Sequence, residues 1–141
     1  MAQKESLLAE DFCRSVHQMM VAYEQTPKRS WPAFRRLVEV SEPNSTTKIL
    51  RSDLLWEEFE EFLSASRKGD LVEVADALGD MMVIIAGTAV SYGIDLPAVL
   101  AEIQRSNMAK IDPETGKLKK RDDGKVLKPE GWKPPEVARV M

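Results

Sequence analysis

The hydrophobic and polar positions follow a helical period over most of the 141-residue chain. Turn and capping residues divide this pattern into predicted helices at about residues 5–25, 31–40, 46–68, 70–92 and 95–110. Gly69 is typical of a helix C-terminus, and Asp70 with Glu73 forms a capping-box-like start for the next helix. We find no alternating run long enough for a sheet. The sequence therefore predicts an all-α fold.

The pattern changes after the Asp112-Pro113 dipeptide. Turn signals at residues 114–117 and 122–125 and a proline-rich stretch at 128–135 predict an extended arm or a weak hairpin. We therefore expect one domain, with a helical part over residues 1–112 and a C-terminal arm over residues 113–141.

Composition and charge exclude several classes of protein. The net charge of −3 argues against a nucleic-acid binder. The single cysteine, Cys13, cannot form an intramolecular disulfide. The longest largely apolar run covers residues 81–90, which is shorter than a membrane span, and the N-terminus lacks a leader pattern. We therefore expect a cytoplasmic protein with no membrane or nucleic-acid partner.

Acidic residues are concentrated on the two central predicted helices. Residues 53–80 carry a net charge of −7, and residues 105–133 carry +4. At 100° per residue, Glu57 and Glu61 lie about 40° apart, and Glu58 lies about 100° from Glu57. On the next helix Glu73, Asp76 and Asp80 lie within about 60°. The sequence beyond Asp80 is apolar all round, so we expect this acidic stripe to face a buried environment.

Buried carboxylates need a compensating partner, because desolvation and mutual repulsion disfavour their charged form. Few lysines or arginines occur at the right angles on the two helices, which leaves a divalent cation as the candidate partner. A set of carboxylate ligands suits magnesium or manganese. The only histidine, His17, is on another helix, which disfavours a di-iron bundle. Residue spacing thus predicts a hard-metal site in a helical bundle.

The two acidic segments resemble the all-α nucleoside triphosphate pyrophosphohydrolases, the superfamily of MazG, the dimeric dUTPases and phosphoribosyl-ATP pyrophosphohydrolase. Its hallmark is Glu-x-x-Glu on one helix and Glu-x-x-Asp on the next, matched here by Glu58-x-x-Glu61 and Glu73-x-x-Asp76. The segments 105–110 and 123–132 are similar to the tail of small MazG-like members. Because some relatives place the ligand aspartate directly before the apolar run, Asp80 is an alternative or additional ligand.

The resemblance implies a magnesium-dependent enzyme (manganese is the alternative ion) that splits a nucleoside triphosphate into monophosphate and pyrophosphate. It implies metal ligands on both acidic helices, catalytic carboxylates on the first of them, and phosphate-binding residues in the basic segment. The metal ligands so implied are Glu58, Glu61, Glu73, Asp76 and Asp80. The catalytic group consists of Glu57, Glu58 and Glu61, with Glu57 as an extra ligand or a water-orienting base. The phosphate-binding candidates are Asn107, Lys110, Lys125 and Lys128.

Substrate and assembly remain open at this level. We expect a housecleaning enzyme that acts on dUTP or a non-standard nucleotide, with phosphoribosyl-ATP as the alternative substrate. A non-catalytic acidic module that docks a basic partner is the alternative from another functional class. The wide apolar faces of the acidic helices need more cover than one chain supplies, so we expect a homodimer or homotetramer that completes the antiparallel bundle.

Overall fold

The computed structural model describes residues 2–25 and 40–141. Within these ranges it contains five α-helices and no extended strand, only two isolated antiparallel bridges. The helices are α1 (Ala2–Ala22), α2 (Ser45–Lys68), α3 (Leu71–Tyr92), α4 (Leu96–Met108) and α5 (Val137–Val140). The predicted all-α class is confirmed. The helix predicted around residues 31–40 falls almost wholly outside the described residues.

Local capping determines the ends of α2 and α3. The Asn44 side chain accepts a hydrogen bond from the Thr47 backbone N–H (2.9 Å), so α2 begins at Ser45, one residue earlier than predicted. Gly69 adopts a left-handed conformation (φ 72°) and ends this helix, as expected. Asp70 then caps α3 through the Glu73 N–H (3.2 Å). The two helices consequently reverse direction within a very short turn.

The chain divides into two compact units, of which the first ends at Asp95. In this unit α2 and α3 pack as an antiparallel pair, and α1 packs against α3. The small core is formed by α1, chiefly Cys13, Val16 and Met20, and by the small or branched residues of α3. Small side chains at Ala86, Gly87 and Ala89 allow helices to approach closely at this end of α3.

The second unit comprises Leu96–Met141, in which the arm is fixed to α4. The Trp132 indole donates a hydrogen bond to the Ser106 carbonyl (2.8 Å), and the Glu136 N–H donates to the buried Glu102 carboxylate (2.9 Å). Isolated antiparallel bridges at Ile111↔Leu118 and Lys120↔Val126 agree with the weak hairpin, one of the two alternatives predicted for this segment. The short helix α5 was not predicted. The proposed division of one domain at residue 112 stays a prediction.

Among the described residues, α3 alone is long and apolar enough to cross a membrane by length and composition. The core helix of a soluble protein can have the same length and composition. In this protein α3 carries Glu73, Asp76 and Asp80 in its first half and packs against two other helices. We therefore assign α3 to the partly buried core of the first unit.

Candidate metal and phosphate site

Helix α2 carries the first three acids of the candidate site. Glu57 and Glu61 are exposed, whereas Glu58 is partly buried. One carboxylate oxygen of Glu58, Oε2, is fully buried and has no hydrogen-bond partner among the residues that the structure describes. A buried acceptor in this state is costly, because it has lost its water without gaining a donor. Glu58 is therefore the acidic residue of this group whose charged form is least favourable.

The acids of α3 lie close enough to act on Glu58. Burial raises the pKa of Glu58 first of all, and the charges of Glu61, Asp80, Glu57 and Asp76 raise it further, in that order. The two half-motifs therefore share one electrostatic neighbourhood. Of the two alternative aspartates, Asp80 affects Glu58 more strongly than Asp76 does.

The short turn at Gly69 explains why these residues meet. Gly69 lies midway in sequence between Glu58 and Asp80, and also midway between Ala65 and Glu73. In an antiparallel helix pair, residues equidistant from the turn lie side by side. Ala65 and Glu73 accordingly line one cleft of about 450 Å³ together with Glu61, Lys68 and Asp70. The cleft and the Glu58 neighbourhood form the acidic site.

The expectation that the acidic stripe of α3 faces a buried environment is wrong for the single chain. Glu73, Asp76 and Asp80 are all exposed. Beyond them, Met82 and Ile85 are exposed as well, because α1 and α2 cover only one side of α3. The apolar face of α2 is equally open, with Trp56 61% exposed. Apolarity of the sequence around a helix therefore overstated its burial.

The acidic site has the carboxylate oxygens that a hard cation prefers as ligands, but they do not form a complete coordination shell. Within the described part of the chain, no three His, Cys, Asp or Glu side chains converge closely enough to hold a metal ion. Mutual repulsion of like charges disfavours such convergence. The orphaned Oε2 of Glu58 and its carboxylate neighbours are nevertheless what a hard divalent cation would satisfy. The residues thus fit magnesium or manganese in kind.

The predicted phosphate-binding residues all lie in the second unit. Lys110 and Lys128 place their ammonium groups 5.5 and 4.2 Å from the centre of the Trp132 ring. Lys110 also donates to the Asn107 amide oxygen (3.1 Å). The structure therefore brings Asn107, Lys110 and Lys128 together around Trp132. Lys125 is in a separate turn, where its backbone N–H donates to Asp123 (3.0 Å).

Sequence reasoning missed one charged residue of the first unit. Arg51 is only 8% exposed, on the α2 face that packs against α3. Its guanidinium lies beside Gly87, where an added Cβ would approach Arg51 Nη1 to 2.9 Å. The available signal was a basic residue on the same line of the helix as Glu58, seven positions before it.

Comparison with known proteins agrees with this geometry. The family model described as phosphoribosyl-ATP pyrophosphohydrolase matches residues 13–107, which include both acidic half-motifs. No curated protein matches the chain. The match covers well over half of the sequence and confirms the resemblance to the all-α nucleotide pyrophosphohydrolases. The chain therefore belongs to the phosphoribosyl-ATP pyrophosphohydrolase family, whose members are hydrolases that act on a phosphoanhydride bond.

Proposed function

We propose that this chain is a magnesium-dependent pyrophosphohydrolase that cleaves phosphoribosyl-ATP between its α- and β-phosphates, releasing pyrophosphate. The observation that carries the proposal is the meeting of the two acidic half-motifs around Glu58, within the segment matched by the family model. Family membership supports a nucleotide substrate, and the name of the family favours phosphoribosyl-ATP over the dUTP that sequence analysis placed first.

Five carboxylates are proposed to hold the metal: Glu58, Glu61, Glu73, Asp76 and Asp80. Magnesium, or manganese in its place, supplies neutralisation of phosphate oxygens and acidification of water when bound. The buried oxygen of Glu58 supports a ligand role, because a cation would satisfy an acceptor that no protein donor reaches in the described residues. The stronger action of Asp80 than of Asp76 on Glu58 supports Asp80 as a principal ligand from α3.

Protein groups carry the remaining steps. Glu57 is exposed beside Glu58, so its carboxylate can orient the attacking water and accept its proton. Asn107, Lys110, Lys125 and Lys128 are proposed to bind phosphate oxygens, since ammonium and amide donors form charge-assisted hydrogen bonds with phosphate. The cation pair around Trp132 supports Lys110 and Lys128 in particular, because it concentrates positive charge at one place in the second unit.

A deoxynucleoside or non-standard nucleoside triphosphate is the second candidate substrate. One observation favours it: the family match ends at residue 107, and the segments 105–110 and 123–132 resemble the tail of small MazG-like proteins. Residues 108–141, which the family match does not cover, hold three of the four proposed phosphate-binding residues: Lys110, Lys125 and Lys128. Both candidates contain the same α–β phosphoanhydride, so the chemistry of the acidic site applies to either.

We also propose that the enzyme works in the cytoplasm as a homodimer or homotetramer. Trp56 and Phe59 on α2, 61% and 39% exposed, form an open aromatic face with ring centroids 6.0 Å apart. Such a face is typical of a protein–protein contact, and a second copy of the helix pair would complete a four-helix bundle. Light scattering of the purified protein tests this point, and a stable, active monomer would refute it.

A panel assay of pyrophosphate release tests the main proposal. Purified protein with magnesium is given phosphoribosyl-ATP, ATP, dUTP, the other deoxynucleotides and non-standard nucleotides. We expect the highest kcat/KM for phosphoribosyl-ATP and no turnover in EDTA. Preference for dUTP or another deoxynucleotide would select the second candidate. If the protein hydrolyses none of these nucleotides and its acidic face tolerates Glu→Gln substitutions, a non-catalytic interaction module is favoured instead.

A further inference from the structure

Arg51 is a buried cation that the proposed pyrophosphohydrolase chemistry does not use. Its side chain is packed between α2 and α3, and its Nε has no hydrogen-bond partner in the described parts of the chain. Burial lowers the pKa of Arg51, but an arginine remains protonated at neutral pH. No carboxylate of the described residues forms an ion pair with it, so a full positive charge is held in the helix interface without a visible counter-ion.

The fold makes room for this charge. Gly87 lies opposite Arg51 on α3, and a Cβ at that position would meet Nη1 at 2.9 Å and the Met20 sulfur at 3.3 Å. A larger residue on α3 would thus push the guanidinium away from its position. An uncompensated buried charge is expensive to maintain, so an anion bound beside it would stabilise the folded protein.

Arg51 lines a cavity of about 270 Å³ in the first unit. Leu55 and Ile85 contribute apolar wall, and the hydroxyls of Ser52 and Thr88 are engaged with backbone carbonyls (2.9 and 2.7 Å). Lys48 also lines the cavity, but its ammonium is paired with Glu42. Arg51 is therefore the available cation of the cavity, in surroundings of low polarity that strengthen a charge-assisted hydrogen bond.

The position of the cavity relates it to the acidic site. Arg51 precedes Glu58 by seven residues, which places the two side chains on the same face of α2 and about 10 Å apart along the helix. This separation is comparable to the length of a nucleotide. A planar guanidinium donates two parallel hydrogen bonds to a phosphate.

We propose that the Arg51 cavity binds a phosphate group. The two possible sources are the phosphate on the added ribose of phosphoribosyl-ATP and the phosphate of a separate effector. Only the first source rests on the proposed function. The phosphate affinity itself follows from Arg51 and its surroundings.

Titration with inorganic phosphate in EDTA tests the site without the metal chemistry. We expect phosphate to raise the Tm of the wild-type protein at constant ionic strength. In Arg51→Gln and Arg51→Met the apparent affinity should fall roughly ten- to a hundredfold, the value of a lost charge-assisted hydrogen bond. The matched control is Arg67→Gln, an exposed arginine near the end of the same helix, which should respond like the wild type.

Two results would overturn the proposal: a wild-type protein with no response to phosphate, or Arg51 variants with an unchanged response. The first of these decides the question even if both variants fail to fold.

Kinetics then distinguish the two sources. If the phosphate belongs to the substrate, Arg51→Gln should raise KM for phosphoribosyl-ATP at least tenfold more than KM for ATP. An equal change for the two nucleotides, with the phosphate response of the wild type retained, supports the separate effector. If the wild type hydrolyses neither nucleotide, the proposed function fails, and the phosphate titration still decides whether the site exists.

Discussion

The substitution Glu58→Gln removes a charge from the centre of the acidic site while keeping the size of the side chain. Burial and neighbouring carboxylates raise the pKa of Glu58, so its charged form is less favourable in the folded protein than in the unfolded chain. We therefore expect Glu58→Gln to stabilise the metal-free protein. In the presence of magnesium it should lower pyrophosphate release roughly 100-fold, because a proposed ligand is lost.

Burial is the main cause of the raised pKa of Glu58, and the neighbouring charges add a part of the stability gain that can be sized. Four carboxylates act on it: Glu61, Asp80, Glu57 and Asp76. A partly exposed charge pair contributes about 0.2–1 kcal/mol, and solvent screening keeps the sum near the lower end, at about 1 kcal/mol. For a chain of this length that corresponds to an increase in Tm of about 3–4 °C.

The pH dependence has a definite sign. Because the pKa of Glu58 is raised above 4.5, the folded protein binds more protons than the unfolded chain in the window just above that value. Wild-type stability is therefore lost relative to the variant as pH rises through this window. The advantage of Glu58→Gln should be smallest below pH 4.5 and should grow as pH rises through this window.

Thermal unfolding in EDTA at pH 4 and 7, at low and high salt, measures these effects. Glu60→Gln is the matched control, because Glu60 is exposed and lies about 200° from Glu58 around α2. High salt should reduce the gain from Glu58→Gln. A variant that is less stable than the wild type at pH 7, or a gain equal to that of Glu60→Gln, would refute the shared electrostatic neighbourhood.

Three further predictions concern other residues. Glu61→Gln and Asp80→Asn should each reduce pyrophosphate release at least about 100-fold with unchanged circular dichroism, and a similar loss in Glu60→Gln would contradict the assigned geometry. Trp132→Phe removes the indole donor to Ser106, so it should destabilise arm docking by about 1 kcal/mol and speed hydrogen exchange in residues 126–136; unchanged exchange would show that this bond does not hold the arm. Arg105 and the Glu136 N–H lower the pKa of Glu102 to about 2, so its stabilising contribution is present above its ordinary value of 4.5 and lost as pH falls towards 2. Glu102→Gln should therefore be less stable than the wild type at pH 7, and the difference should shrink in acid unfolding curves.

Local chemistry made the helices predictable. Gly69 and Asp70 act within one helical turn, so their roles as helix stop and helix start can be judged without knowing the rest of the fold. The acidic half-motifs were predictable for the same reason, since helical spacing alone places their carboxylates on common faces. The family match covers both half-motifs, while the roles of the individual acids stay predictions.

Burial could not be predicted in the same way, because it depends on which surfaces meet. Trp56 and Met82 have the sequence signature of core residues but are exposed in the single chain. Arg51 has the signature of a surface residue but is buried, because Gly87 leaves space for it. Both errors arise because burial depends on how the helices pair, and the helical period of one segment carries no information about that pairing.

The turn at Gly69 connects the local helix signals with the pairing between the helices. Glu58 and Asp80 are equidistant from Gly69, and so are Arg51 and Gly87. Because the turn is so short, it fixes the register of α2 against α3, and one register pairs the acids with each other and the buried arginine with the glycine. A residue inserted after Gly69 would lengthen the turn and release this register, on which both pairs depend. The acidic site and the Arg51 cavity therefore depend on a single structural feature, the length of this turn.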